Sequence, residues 1–195
     1  TLGRALDIDP DLVEAHNNLG TVQQIRGDLE DAARSYGRAL AIDPGHASAH
    51  VNLGHVLKRQ GTLEDAIVSY RRALVIDPGF AEAHYNLGIA LQETGDPEAA
   101  IASYARVLDN EPSHAGAQVN IGYAYKEMGR LEAAAEAYAE ALLGDEPGTL
   151  GCHVDALTVN PYLGRDSVEP FIDRVRDEGY PVPLVHSWQP DEGIR

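Results

Sequence analysis

Apolar and small positions recur along this chain at helical spacing within short segments, and the whole pattern returns every 34 residues. The stretch "AHNNLG" at 15–20 comes back as "AHVNLG" at 49–54, "AHYNLG" at 83–88 and "AQVNIG" at 117–122. One column holds Leu19, Leu53, Leu87 and Ile121, followed by Gly20, Gly54, Gly88 and Gly122. Further columns are Gly27, Gly61, Gly95 and Gly129; Ala32, Ala66, Ala100 and Ala134; Tyr36, Tyr70, Tyr104 and Tyr138; and Ala39, Ala73, Val107 and Ala141. Asp-Pro pairs at 9–10, 43–44 and 77–78, and Glu111-Pro112, punctuate the pattern. A proline disfavours helical geometry in the residue before it, so these pairs mark joints.

Each unit therefore reads as two helices. The first, for example 47 to 60, ends at a glycine that takes the left-handed cap conformation at little cost. The second is expected to start on a side-chain cap, with Thr62 and Asp65, and Asp28 and Asp31, arranged like capping boxes. Asp96-Pro97 puts a proline in the first turn, where its missing N–H costs nothing. Arg130 departs from this pattern. The glycine and alanine columns let helices approach to about 8–10 Å, with tyrosine and leucine filling between them. One hairpin cannot bury its apolar face alone, so the units are expected to stack into an all-α solenoid.

These columns resemble the tetratricopeptide repeat family, a helix–turn–helix of 34 residues that winds into a right-handed superhelix. The resemblance covers residues 1–147: the end of a preceding repeat at 1–12, then repeats at 13–46, 47–80, 81–114 and 115–147. The opening "TLGRALDIDP" accordingly reads as the tail of an earlier repeat, and the chain as a fragment. His16, His50, His84 and Gln118 stand where the family often has an aromatic. They come one per repeat with no second ligand at helical spacing, so the expectation is packing between hairpins rather than metal binding.

The resemblance implies that the first helix of each repeat lines a concave groove. It places there Asn17, Asn18, Thr21, Gln24 and Glu14; Val51, Asn52, His55, Lys58 and Arg59; Glu82, Tyr85, Asn86, Gln92 and Glu93; and Asn120, Tyr123, Lys126 and Glu127. Asparagine is a poor residue for a helix interior, yet Asn18, Asn52, Asn86 and Asn120 recur in register. A carboxamide offers both a donor and an acceptor, so such a ladder can pair with the main chain of an extended peptide. Helices about 8–10 Å apart would meet a chain rising about 3.3 Å per residue at roughly every third residue. Alternatively, the amides bond only between neighbouring helices. The ladder is similar to that in the repeat arm of O-linked N-acetylglucosamine transferases, so a substrate-recognition arm is the rival function. The carboxylate clamp of chaperone-binding members is not expected, because Asn17 and Thr21 occupy positions where that clamp needs a lysine and a second asparagine.

Composition narrows the partners. The net charge is −16, which disfavours nucleic acid and an anionic membrane surface. The groove positions themselves are nearly neutral, with four glutamates against two lysines and one arginine, so most of the charge lies elsewhere. Cys152 is the single cysteine, which excludes an internal disulfide and fits a reducing, cytoplasmic setting. No phosphate-binding glycine loop or paired-cysteine motif occurs, and no catalytic residue, metal or cofactor is expected.

After Leu143 the columns stop. Residues 154–159 and 182–186 read as strands and 167–177 as a helix capped by Asp166, giving a short β-α-β-like segment. "DALTVNPYLGRDSVEPF" resembles part of the orotidine 5'-phosphate decarboxylase barrel over residues 153–177. That enzyme's chemistry uses lysines, and the chain has none from residue 148 onward. The segment is therefore expected to be an inactive remnant or the boundary of a fusion.

Overall fold

The computed structural model describes residue 9 and residues 11–143. The elements are α1 (Val13–Arg26), α2 (Leu29–Ile42), α3 (Ala47–Arg59), α4 (Leu63–Ile76), α5 (Ala81–Glu93), α6 (Pro97–Asn110), α7 (Ala115–Glu127) and α8 (Leu131–Leu143). All are α-helices, and no strand occurs among the described residues. The all-α helix–turn–helix repeat is thus the observed fold. The β-α-β-like reading of 148–195, with Cys152, falls outside the described residues. The chain divides after Asn110 into two compact units, the first holding α1–α6 and the second α7 and α8.

The turn inside each hairpin is the same device four times. Gly27, Gly61, Gly95 and Gly129 all have positive φ, between 71° and 89°. The residue after each glycine donates its N–H five positions back: Asp28 to Gln23 (2.9 Å), Thr62 to Leu57 (3.0 Å), Asp96 to Leu91 (2.9 Å) and Arg130 to Tyr125 (2.9 Å). Orphan carbonyls at the helix end are thereby satisfied, and only glycine reaches this geometry without a Cβ penalty.

The start of the second helix differs from expectation in two repeats. Thr62 sits at the N-cap of α4, but its hydroxyl donates back to the Leu57 carbonyl (3.1 Å) instead of accepting from the new helix. Asp28 likewise makes no side-chain cap bond. Asp96, by contrast, does supply a side-chain cap, accepting from the Ala99 N–H at 3.1 Å ahead of Pro97. At the joints between hairpins, Asp43 and Asp77 accept from the Gly45 and Gly79 N–H groups at 2.9 and 3.0 Å, closing Asx turns around the prolines.

Packing within a hairpin rests on one ring and one missing methyl. Tyr36, Tyr70 and Tyr104 are wholly buried, and each ring packs against the glycine of its partner helix. A Cβ on Gly54 would fall 2.5 Å from Tyr70 Cε1, and one on Gly122 the same distance from Tyr138 Cε1. The alanines at 32, 66 and 100 are fully buried beside them.

The histidine column is explained by the joints. His50 Nε2 lies 3.1 Å from the Pro44 carbonyl and His84 Nε2 lies 3.0 Å from that of Pro78. Gln118 donates from Nε2 to the Pro112 carbonyl at 3.0 Å, so an amide replaces the imidazole without changing the bond. That equivalence fixes the imidazole Nε2 as the protonated nitrogen. The side chain is a strut that ties the joint to the helix it precedes. Burial lowers the His50 pKa, consistent with a neutral ring.

Candidate functional site: the face of the first helices

In the first unit α1 touches α3 and α3 touches α5, while α2 and α4 pack most against the first helix of their own hairpin and next against the first helix that follows. The first helices of this unit therefore share one continuous face, on which its sequence-derived groove residues can be located. Asn18 is exposed, and its amide forms no hydrogen bond among the described residues. Asn52 is half-buried and donates to Asn17 Oδ1 at 3.0 Å, across the α1–α3 seam. Asn86 is half-buried and donates to the Glu82 carbonyl at 2.8 Å, one turn back on its own helix. It also hydrogen-bonds His55 across the α3–α5 seam. Asn120, in the second unit, is half-buried.

Several neighbours serve the seams as much as the surface. Asn17 is buried, and its carbonyl oxygen holds Asn52; Val51, in the same column, is buried outright. Arg59 donates to the Gln24 main-chain carbonyl (3.2 Å), and Lys58 donates to Glu93 Oε1 (3.2 Å). His55 Nε2 stands 3.9 Å from Glu82 Oε1. Burial lowers the His55 pKa, and the Glu82 carboxylate and the Asn86 bond oppose that shift. In the second unit Tyr123 is exposed and meets Tyr138 edge-on at 5.7 Å, and Lys126 is exposed. Burial, with smaller contributions from Tyr123 and Glu127, pushes the Tyr138 pKa up to about 12.

Family models decide what these hairpins are. A TPR repeat model matches residues 25–61 and 54–95, and a tetratricopeptide repeat model matches 85–148, together well over half the chain. The chain belongs to the tetratricopeptide repeat family.

Solved tetratricopeptide repeat structures agree with that assignment. The crystal structure of MamA is similar with a TM-score of 0.69 at 28% identity, over 72% of this chain and 82% of that one. YrrB, described as a TPR protein with an unusual peptide-binding site, gives a TM-score of 0.65 at 25% identity, over 72% and 73% of the two chains. MamA from Desulfovibrio magneticus RS-1 shares the fold at 21% identity, with a TM-score of 0.67 over 72% and 79%. No curated protein matches the chain. No described helix is long and apolar enough to cross a membrane.

The tetratricopeptide tyrosine column also reaches the floor of this face, which the sequence did not reveal. Tyr36 donates to Gln24 Oε1 at 2.9 Å and lies 3.2 Å from Thr21 Oγ1; Tyr104 donates to Gln92 Oε1 at 3.3 Å. In the repeat between them the glutamine is replaced by Lys58, which turns to Glu93, and the buried Tyr70 hydroxyl has no hydrogen-bond partner among the described residues. Burial foremost, then the carboxylates of Glu93 and Glu82, raises the Tyr70 pKa well above the usual phenol value. The signal was present as the alternation Gln24, Lys58, Gln92, Lys126, but only the hydroxyl directions give it meaning.

Proposed function

We propose that the face of the first helices binds an extended segment of a partner protein, with Asn18, Asn52, Asn86 and Asn120 hydrogen-bonding its main chain. The observation that carries this reading is Asn18, an exposed carboxamide inside a helix with no hydrogen bond among the described residues to explain it. Asn52 and Asn86 each spend one amide hydrogen on the scaffold, which fixes their rotamers and leaves further hydrogen-bonding capacity for a guest. Thr21, Gln92, Tyr85, Tyr123, His55 and the charged side chains Arg59, Lys58 and Lys126 flank the ladder and would contact guest side chains. The peptide-binding site named for the similar YrrB supports a scaffold of this kind. Each rung contributes about 0.5–1.5 kcal/mol net, a share that depends on main chain and not on guest sequence.

The test compares Asn18→Ala with Asn52→Ala on an immobilised array of random peptides. Asn18→Ala should weaken every bound spot by roughly a factor of 2–10 while the melting temperature holds. Asn52→Ala should weaken binding and also lower the melting temperature, because it orphans Asn17. Unchanged array binding by Asn18→Ala would remove the ladder from the function.

A further inference from the structure

Arginine forms a second register, on the opposite side of the hairpins. Arg38, Arg72 and Arg106 stand 34 residues apart, at the same position of α2, α4 and α6. The buried residues of these helices include the tyrosine column and its neighbours, for example Ala32, Ser35, Tyr36 and Ala39 in α2. The arginines lie off that stripe and are exposed. Arg34 and Arg71 flank them on the same outer face, so it carries five arginines within a chain of net charge −16. Arg34 pairs with Asp31, and Arg106 with Asp109 at 3.2 Å. Arg38, Arg71 and Arg72 form no ion pair among the described residues. Two valines share the face of α4: Val68 is 46% and Val75 is 83% exposed.

Most carboxylates of the second helices and joints lie toward the ends of the helices that carry this row, with Asp31 reaching Arg34 and Asp109 reaching Arg106. They gather at the first turns of the second helices, as Glu30, Asp31, Glu64, Asp65 and Glu98, and at the joints, as Asp43 and Asp77. A single file of cations thus runs between two acidic borders. A double-stranded nucleic acid, with one charge per about 1.7 Å of axis and a broad surface, would press phosphates against those borders. A membrane leaflet would do the same. An extended polypeptide is narrow enough to meet only the row. Arginine presents a planar fork matched to carboxylate, and arginine beside exposed aliphatic side chains is an interface composition.

We propose that the outer face of α2, α4 and α6 docks an acidic, extended segment of a partner protein, independently of the groove on the first helices. Neighbouring arginines of the row are about 10 Å apart or slightly more, so carboxylates at every third or fourth residue of the segment fall opposite them. The contacts are exposed ion pairs, which are modest singly and weakened by salt.

The experiment uses the full chain and a fluorescent synthetic peptide with glutamate at every third position in a serine background, read by anisotropy at low ionic strength. Binding should weaken about tenfold in R38E/R72E/R106E, be lost as salt rises, and stay unchanged in Asn18→Ala. R38Q/R72Q/R106Q should weaken it less, and serves alone if the reversal variant fails to keep its helical circular dichroism. Retention by both triple variants, or no binding by the wild-type chain, overturns the proposal. Equal binding of a labelled oligonucleotide overturns the partner class. Self-association of the wild-type chain in sedimentation, abolished by the triple variants, would reassign the face to a second copy. Loss of peptide in Asn18→Ala alone would place the peptide in the groove instead, so the two surfaces fail separately.

Discussion

The same substitution, glycine to alanine, should have opposite effects at two helical positions of this chain. At Gly54 a Cβ would lie 2.5, 2.8 and 2.9 Å from Tyr70 Cε1, Cδ1 and Cζ. Carbon atoms in contact prefer about 3.5–4.0 Å, so the shortfall is roughly 1 Å against a rigid ring. That ring is wholly buried and is backed on another side by His55, centroid to centroid 5.8 Å, so it has little room to give way. Overpacking of this kind costs about 1–3 kcal/mol, against a helix-propensity gain of about 0.8–1.0 kcal/mol. The net expectation for Gly54→Ala is a loss of about 1 kcal/mol. Gly37 lies in the interior of α2, exposed, with nothing within 4 Å of a built Cβ. Gly37→Ala should gain close to the full propensity term, so the pair differs by about 2 kcal/mol. Urea denaturation followed by circular dichroism measures both. A second comparison isolates the ring: in a Tyr70→Leu background, Gly54→Ala should turn from destabilising to neutral or stabilising. If Gly54→Ala stabilises as much as Gly37→Ala in the natural background, the glycine–tyrosine contact is not what holds the hairpin together.

Two further expectations concern single side chains. His50→Gln should cost under about 1 kcal/mol because Gln118 already makes the equivalent bond, whereas His50→Ala should cost about 1–3 kcal/mol, read from the melting temperature; equal losses would refute the strut. The folded His50 pKa is depressed below its unfolded value, so the unfolded chain takes up the proton first and stability falls as pH drops through about 6.5. His50→Gln should remove that component of the acid sensitivity, and an unaltered pH–melting curve would contradict the buried neutral ring. Lys58→Gln restores the acceptor that Tyr36 and Tyr104 have, at the expense of a partly exposed ion pair, and should raise stability by about 1 kcal/mol; a fall would show that Glu93 holds the seam more firmly than the Tyr70 hydroxyl strains it.

Most of the fold was legible because its determinants are local and repeated four times. A glycine after an amphipathic run can be read as a left-handed cap from its neighbours alone, and all four have positive φ. The Asp-Pro joints are equally local, since the aspartate closes a turn only two residues long. Where the reading failed, the competitor was a bond that sequence spacing does not rank. Thr62 has two acceptor and donor options within reach, and the carbonyl behind it wins over the N–H ahead. The site was legible as columns but not as bonds. Asn17 and Asn52 are 35 residues apart, and whether they pair depends on how closely two first helices approach, which no single repeat encodes. The histidines were placed between hairpins correctly in kind, but their acceptor, a proline carbonyl six residues earlier, emerges only from the path of the joint.

A repeat protein supplies its own controls, and they sort the polar residues of this chain. A side chain that recurs with the same partner is explained by the hairpin: the histidines and Gln118 bind the joint, and Tyr36 and Tyr104 bind the glutamine opposite. The asparagine column does not behave this way. Asn18 has no hydrogen bond among the described residues, Asn52 reaches to the preceding helix, and Asn86 bonds its own helix and His55. If the fold required an asparagine there, one bond would satisfy it in every repeat, as the proline carbonyl does for the histidines. Three different internal arrangements of one recurring residue mean that the fold does not specify a single partner for it. That variety fits the proposed role of the column, in which the shared requirement comes from what the face of the first helices meets.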